Sequence, residues 1–576
     1  MSFDAELSEL LSGPVSSLPV PQAQSLPATS AVMAGGGAYE GASGFDQLAL
    51  WQPPIQSADA DILPDKEVLD SRVLDMLRND AYVAGGRTLH QDNIVGSIYL
   101  LNAKPMTKVL WGKDDDIWEE EFQEEVETKF MLWAESAFNW SDAQGTKTLT
   151  DQVRLAVALA LASGEVLATA EWKPNDGRPY RTAVQMVDTA RLCDPPNTWT
   201  NKRRIRGGVE QNQDGEPIAY HIRMGDPMDY ALPGYYQWRR VMARKPWGRP
   251  QVLHIFDQIR AEQSRGVSSM VAALQEMKML KSFRKVELQR AVLAATYAAS
   301  IESELPDGDV FTLLGGNQGT GNPVIDYQMQ FLNMMQDFVG GAKNLDINGA
   351  KIPILPAGVK LNLKNPGADS PAGDKFEMSA LRYVASVLGV SYEQLSRDYT
   401  NTNYSSARAS RGETEKHMAS RKKKVADGYA NFLYGLWLEE AINQNSLECL
   451  KRKNVPAYYD GLNREAYTSC DWLGAGAGLI DPLKEIQAYV LALNNKIGTR
   501  ERVIARLYGS DWRRELRQIS REEAAYAKAG IDLQPTANQD MQNALSGSPA
   551  KRGATSAALD RAMIEQIVAD IMESRS

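Results

Sequence analysis

The sequence predicts an α+β subunit that is mainly helical, and three stretches carry that prediction. Residues 265–300 read as one long helix, with apolar residues at helical spacing through Val267, Met270, Val271, Leu274, Met277, Leu280, Phe283, Leu288 and Val292. From residue 376 onward helical patterns dominate, over 376–388, about 404–443, 482–496, 499–508, 511–528 and 556–573. Between 165 and 258 the pattern changes to alternation punctuated by turn signals, which marks strands.

Each element has its own warrant. Residues 1–45, rich in Ser, Pro, Ala and Gly, bury too little to offset their ordering entropy and are expected to form a mobile arm. Order is expected to begin near Leu48–Trp51. A helix over 64–90 follows, weakened late by Gly85 and Gly86, then an acidic amphipathic helix over 114–140 with Trp118, Phe122, Val126, Phe130 and Trp133 near one face. A helix at 150–163 leads into strands EVLATAEW, TAVQMVD, IAYHIRM and QVLHIFD. Ser264 can cap the long helix and Pro306 lies beyond its end. At 1.5 Å per residue it would run roughly 50 Å, more a strut than a packing element. A Gly/Pro-punctuated excursion follows at 301–326, and a shorter helix at 327–340 starts back. KIPILPAGVKLNL then reads as extended and NPGADSPAGD as an exposed loop.

Composition sets outer limits. The chain of 576 residues carries net charge −10, and no apolar run approaches the ~18 residues a bilayer span needs. The start MSFDAELSELL lacks the basic and apolar regions of a secretory signal. Cys193, Cys449 and Cys470 are too widely spaced for a zinc site and fit a reducing compartment. The histidines His90, His221, His254 and His417 fall in no metal motif, so structural roles are expected. Gly145-Thr146-Lys147-Thr148 ends like a phosphate loop, but Trp140 stands where such a loop needs glycine. GGNQGTGN does not give GxGxxG. The nine acids of 114–127 read as a solvated helix face rather than a metal site, and so does the basic run Arg421–Lys424 rather than a nucleic-acid contact. No catalytic residues, metal ligands or cofactor site are expected.

Several stretches, each weak alone, resemble one family in their number and order. They are LALWQP (48–53), RNDAYVAGGRTLHQDNIVG (78–96), HIFDQIRAEQSRGVS (254–268), NYSSAR (403–408) and DPLKE (481–485) with the helices up to Asp511-Trp512. Together, over about 38–535, they resemble the lambda-type portal proteins of tailed bacteriophages. The resemblance implies a portal-type subunit with wing, stem, clip and crown regions. The arm before residue 38 lies outside it, and 46–264 become wing. The stem helix runs out over 265–300 and back over 327–343, with the clip at 301–326 between. Residues 344–443 are wing with a candidate channel loop at 363–375, 444–535 are crown-side helices, and 536–576 are a tail with a short amphipathic helix.

The same resemblance implies a homo-oligomeric ring, usually of twelve subunits, at one capsid vertex. Double-stranded DNA would enter and leave through it. The implied partners are the terminase large subunit, the major capsid protein and scaffold, and neck or head-completion proteins, with no membrane. Assembly in the host cytoplasm and residence in the virion follow. The runner-up is another phage head or neck protein without a DNA channel. Twelve strong basic patches would hold DNA, since each Lys or Arg contact to phosphate strengthens binding, so an acidic chain suits sliding. Lys343, Lys360, Lys364 and Lys375 are the candidates for passing contacts with DNA. Leu274, Met277, Leu280 and Phe283 are the candidates for packing stem helices against neighbours.

Overall fold

The computed structural model describes residues 50–51, 53–174, 177–196, 204–231, 233–296, 344–347, 350–353, 372–400, 402–451, 455–478 and 481–530. Helix α1 (Ala58–Asn79) starts on the Ser57 cap, and α2 (Ala81–Ile94) starts on Asp80, whose carboxylate accepts from the Tyr82 and Val83 amides. The single helix expected over 64–90 is therefore two helices, because Asp80 is held extended and caps the second. Strand β1 (Leu100–Ala103) is followed by the acidic helix α3 (Asp116–Ala134), and α4 (Leu149–Ala162) is capped by Thr148. The Gly145–Thr148 stretch is thus a helix entry, with Lys147 3.9 Å from Asp142.

The strand-rich part forms two antiparallel sheets. Strands β2 (Glu165–Trp172) and β3 (Thr182–Val187) come first, then β4 (Arg204–Arg206), β5 (Val209–Gln211), β6 (Pro217–Arg223), β7 (Trp238–Met242) and β8 (Val252–Phe256). The orders are β3-β2-β8 and β4-β5-β6-β7. All four strands read from alternation are present.

The strut does not begin as an α-helix. A 3-10 turn at Ser269–Ala273, capped by Ser268, leads into α5 (Leu274–Thr296). Ser264 is not a cap: its amide and hydroxyl both donate to buried Asp59 at 2.8 Å. A hairpin of β9 (Asn344–Ile347) and β10 (Ala350–Pro353) precedes α6 (Ala372–Leu388). The last four residues of the loop expected at 363–375 are therefore helical. The expected returning helix at 327–343 and the excursion at 301–326 lie outside the described residues.

Helices α7 (Tyr404–Arg421) and α8 (Asp427–Asn443) are joined without a break by a π-helical turn at Lys422–Ala426. Strand β11 (Cys470–Leu473) pairs antiparallel with β1, more than 360 residues away in sequence. The chain continues as α9 (Pro482–Asn494), α10 (Arg500–Tyr508) and α11 (Trp512–Ala529).

One apolar cluster dominates. The buried side of α3 meets α8 and β11, with Phe130 5.4 Å from Tyr434, 5.2 Å from Trp437 and 6.0 Å from Trp472 between ring centroids. Trp118, Phe122, Val126, Phe130 and Trp133 are all buried there, as their helical spacing predicts. Buried aromatic side chains of this size remove the most apolar surface per residue from water.

Candidate functional site

The strut leaves the globular body at a point where two glycines meet. Gly164 has φ +76°, and a Cβ there would lie 2.1 Å from the Val267 carbonyl carbon. A Cβ on Gly266 would lie 2.3 Å from the Gly164 oxygen. Only residues without side chains allow this approach. It puts Glu165, at the start of β2, beside Arg265, at the root of the strut.

These two residues form the centre of a buried ionic network. The Arg265 guanidinium meets Glu165 at 2.6 and 3.0 Å, and it also donates to the carbonyls of Leu192, Gly207 and Thr189. Glu165 further accepts from the Gly266 amide at 2.9 Å, with His254 Nε2 at 3.1 Å and Lys66 Nζ at 3.3 Å. Burial alone would raise the Glu165 carboxyl, but Arg265, His254 and Lys66 hold it well below the usual carboxylate range. Asp70, which takes a 2.8 Å bond from Lys66, is pushed up to about 6 because its burial outweighs that cation. Removing one partner of such a buried pair typically costs about 3–5 kcal/mol, since the other charge is left in a dry site. The network binds the strut root to α1, β2 and β8 as one rigid joint.

A second clamp lies further along. Arg284 of α5 ion-pairs with Glu377 of α6 and sits 4.4 Å from the Tyr82 ring centroid, while Phe283 lies 4.9 Å from Phe376. Lys281 donates to the Asn79 carbonyl at 3.2 Å. Outgoing α5 and incoming α6 are therefore held side by side on α1 and α2.

This geometry revises the reading of the strut residues. Met277 and Leu280 are buried within one subunit, Leu274 is half-buried against the main core, and Phe283 stacks on α6. Their apolar character is accounted for without a neighbour. Among the described side chains of α5, Met279, Val286 and Leu288 are large apolar ones left more than half exposed. Of the candidate lysines, Lys343, Lys360 and Lys364 lie outside the described residues. Lys375 is exposed near the start of α6.

The charged runs are exposed over much of their length, as a solvated reading expects, but several members are engaged within the chain. Lys422 donates to Asp427 at 2.7 Å and to the Trp472 carbonyl at 2.9 Å, and lies 5.3 Å from the Tyr99 ring centroid. Tyr99 donates to the same Asp427 carboxylate. Lys424 pairs with Asp257 and Arg421 donates to Ser269, so only Lys423 is largely exposed. The π turn places Lys422 against the core, which a regular helical period does not show. In the acidic block, Glu124 and Glu120 face Arg517 and Arg513 of α11 at 2.5 and 4.0 Å. Glu125 accepts from the Glu448 and Cys449 amides and from Lys129. Although burial opposes it, these donors hold its carboxyl at about 2. Glu127, accepting from Gln123 and the Ala103 amide, is pushed up to about 7 by burial.

Three of the four histidines are held in structural contacts: His221 on Glu210, His254 on Glu165, and buried His90 on the Leu388 carbonyl. Among the described residues no group of three or more His, Cys, Asp or Glu is placed to hold a metal. No helix among them is long and apolar enough to cross a membrane.

The central members of the root network escaped the residue-by-residue reading. Glu165 and Lys66 carry no local signal. His254, Arg265 and Gly266 do lie inside the stretch 254–268 that carried the family resemblance.

Fold and root together describe a structural protein built around a doubly anchored strut. Residues 46–422 match the family model for phage portal proteins of the lambda family. Portal protein B of Escherichia phage lambda is 34% identical over 504 residues, covering 86% of this chain and 91% of that relative. The portal protein of Escherichia phage N15 is 33% identical over 501 residues, with coverage of 86% and 91%. Among solved structures, a chain from the neck of an empty GTA particle computed with C6 symmetry aligns at 12% identity and TM-score 0.40, covering 76% of this chain and 93% of that one. The chain belongs to the lambda family of phage portal proteins.

Proposed function

We propose that this portal protein assembles into a ring, of twelve copies by family analogy, whose axial channel passes double-stranded DNA into and out of the head at one vertex. The observation that carries the reading is the double clamp. Outgoing α5 and incoming α6 are held side by side on the body, as a stem rooted at two points requires. In this reading 265–300 and 327–343 are the stem, 301–326 the clip that meets the terminase large subunit and later the neck proteins, and 363–371 the channel loop. The wing, 46–264 and 344–443, faces the capsid protein and scaffold, and 444–535 form the crown. Residues 1–45 and 536–576 act as arm and tail.

Net charge of −10 per chain, about −120 for twelve copies, suits a channel wall that does not grip phosphates. Lys343, Lys360, Lys364 and Lys375 remain the proposed transient contacts. Met279, Val286 and Leu288 replace the buried strut residues as the proposed ring-packing side chains. Electron micrographs of the purified chain test this reading: rings with a central hole support it, and a monodisperse solid particle at high concentration contradicts it. For the channel, alanine at both Lys360 and Lys364 should alter DNA retention while rings persist. Unchanged packaged genome length would remove those lysines from the account.

A further inference from the structure

The crown-side helices are unfinished in one chain. Helices α9, α10 and α11 contain no buried residue, and Leu483, Leu491, Tyr508 and Leu516 are each at least half exposed. All three are amphipathic; apolar side chains of α9 and α11 face water, whereas Val503, Ile504 and Leu507 of α10 are half-buried. Helix α11 adds a charge pattern to its strip. Arg514, Arg521 and Lys528 recur every seven residues and share one stripe, while Glu515 and Glu522 form another about 100° further round. Arg513 and Arg517, on the face toward α3, are paired with Glu120 and Glu124. Arg514, Arg521 and Lys528 have no ion-pair partner among the described residues. Glu515 and Glu522 take only neutral bonds, from Ser510 and Gln518.

One helix therefore displays an unpaired basic stripe and an unpaired acidic stripe, the latter bordering the apolar strip of Leu516, Ile519 and Tyr526. We propose that a second copy of this chain covers the strip, its Arg514, Arg521 and Lys528 meeting the Glu515 and Glu522 of the first. Such a contact is head-to-tail: each copy uses one stripe and keeps the stripe of opposite sign free for the next, so the contact repeats until a ring closes. DNA is the weaker occupant, because it would meet only the basic stripe and leave Glu515, Glu522 and the apolar strip uncovered. The inference rests on the ring reading above and names the contact that orders its crown.

The test is charge reversal on the full-length chain at low salt, read by sedimentation. R514E/R521E makes both stripes acidic and E515R/E522R makes both basic. Each variant alone should form rings at least roughly tenfold less than the wild type, because like charges now meet. Mixing the two, or combining all four changes, should restore rings, which also shows that each variant folds. Wild-type rings with both variants ringing equally well would overturn this contact, whereas a wild type without rings would overturn the underlying reading instead. Rings lost on deleting 546–576 but not on reversal would make the tail the occupant and equally overturn the proposal.

Discussion

The body of this subunit, the proposed wing, and helices α9, α10 and α11, the proposed crown, are built on opposite terms. In the wing, Phe130, Trp133, Tyr434 and Trp437 are buried by their own chain, and the charges of Glu165 and Arg265 are matched within it. In the crown, three helices of comparable regularity contain no fully buried residue. The difference teaches that helical order and subunit completeness are separate properties. The body covers its own apolar side chains, whereas Leu483, Leu491 and Leu516 are left exposed, and in the proposed ring a neighbour would cover them.

The largest expected effect breaks the wing side of this comparison. Arg265→Ala should destabilise the isolated subunit by about 3–5 kcal/mol in urea unfolding, because Glu165 would be left charged in a dry site. Arg265→Lys should rescue only part, since an ammonium cannot span Glu165 and three carbonyls together. A loss under about 1 kcal/mol would show that the root network is not a structural joint. Phe130→Ala follows at about 3 kcal/mol, from lost burial and the cavity left among the rings. Measured in monomer and ring, that loss should be the same in both.

A smaller effect depends on pH. Glu127 is pushed up to about 7 in the folded chain, against ~4.3 for an unhindered glutamate. The folded state therefore takes up this proton first as pH falls, and stability rises from pH 8 toward 5. The cost of the buried charge is fully present above pH 7. Glu127→Gln should flatten this slope, adding on the order of 1–2 kcal/mol at pH 8 and little at pH 5. Asp70 titrates in the same direction at about 6 and should leave a residual slope. An unchanged profile would place Glu127 in a wetter setting than its contacts show. The smallest effect belongs to the crown: Leu491→Ser should change monomer stability by less than about 0.5 kcal/mol, as expected for an exposed site. The same change should weaken rings measurably if a neighbour covers α9.

Much of this division was legible in the sequence, though not its cause. The apolar spacing of Trp118, Phe122, Val126, Phe130 and Trp133 identified the buried side of α3, and alternation located β2, β3, β6 and β8. Local pattern could not show that β1 pairs with β11, nor that Glu165 meets Arg265 across one hundred residues. Nor could it tell apart the partners of apolar residues on α5. Met277 and Leu280 look like Val286 and Leu288 in sequence, yet the first pair is covered by its own chain. The π turn at Lys422–Ala426 likewise hid an internal ion-pair network behind what reads as a solvated basic run.

The most direct measurement is amide hydrogen exchange on monomer and ring of the full chain, since protection reports local opening. The account predicts that α3 and α8 are equally protected in both, while α9, α10 and α11 gain protection only in the ring. Crown helices as protected in the monomer as in the ring would contradict it.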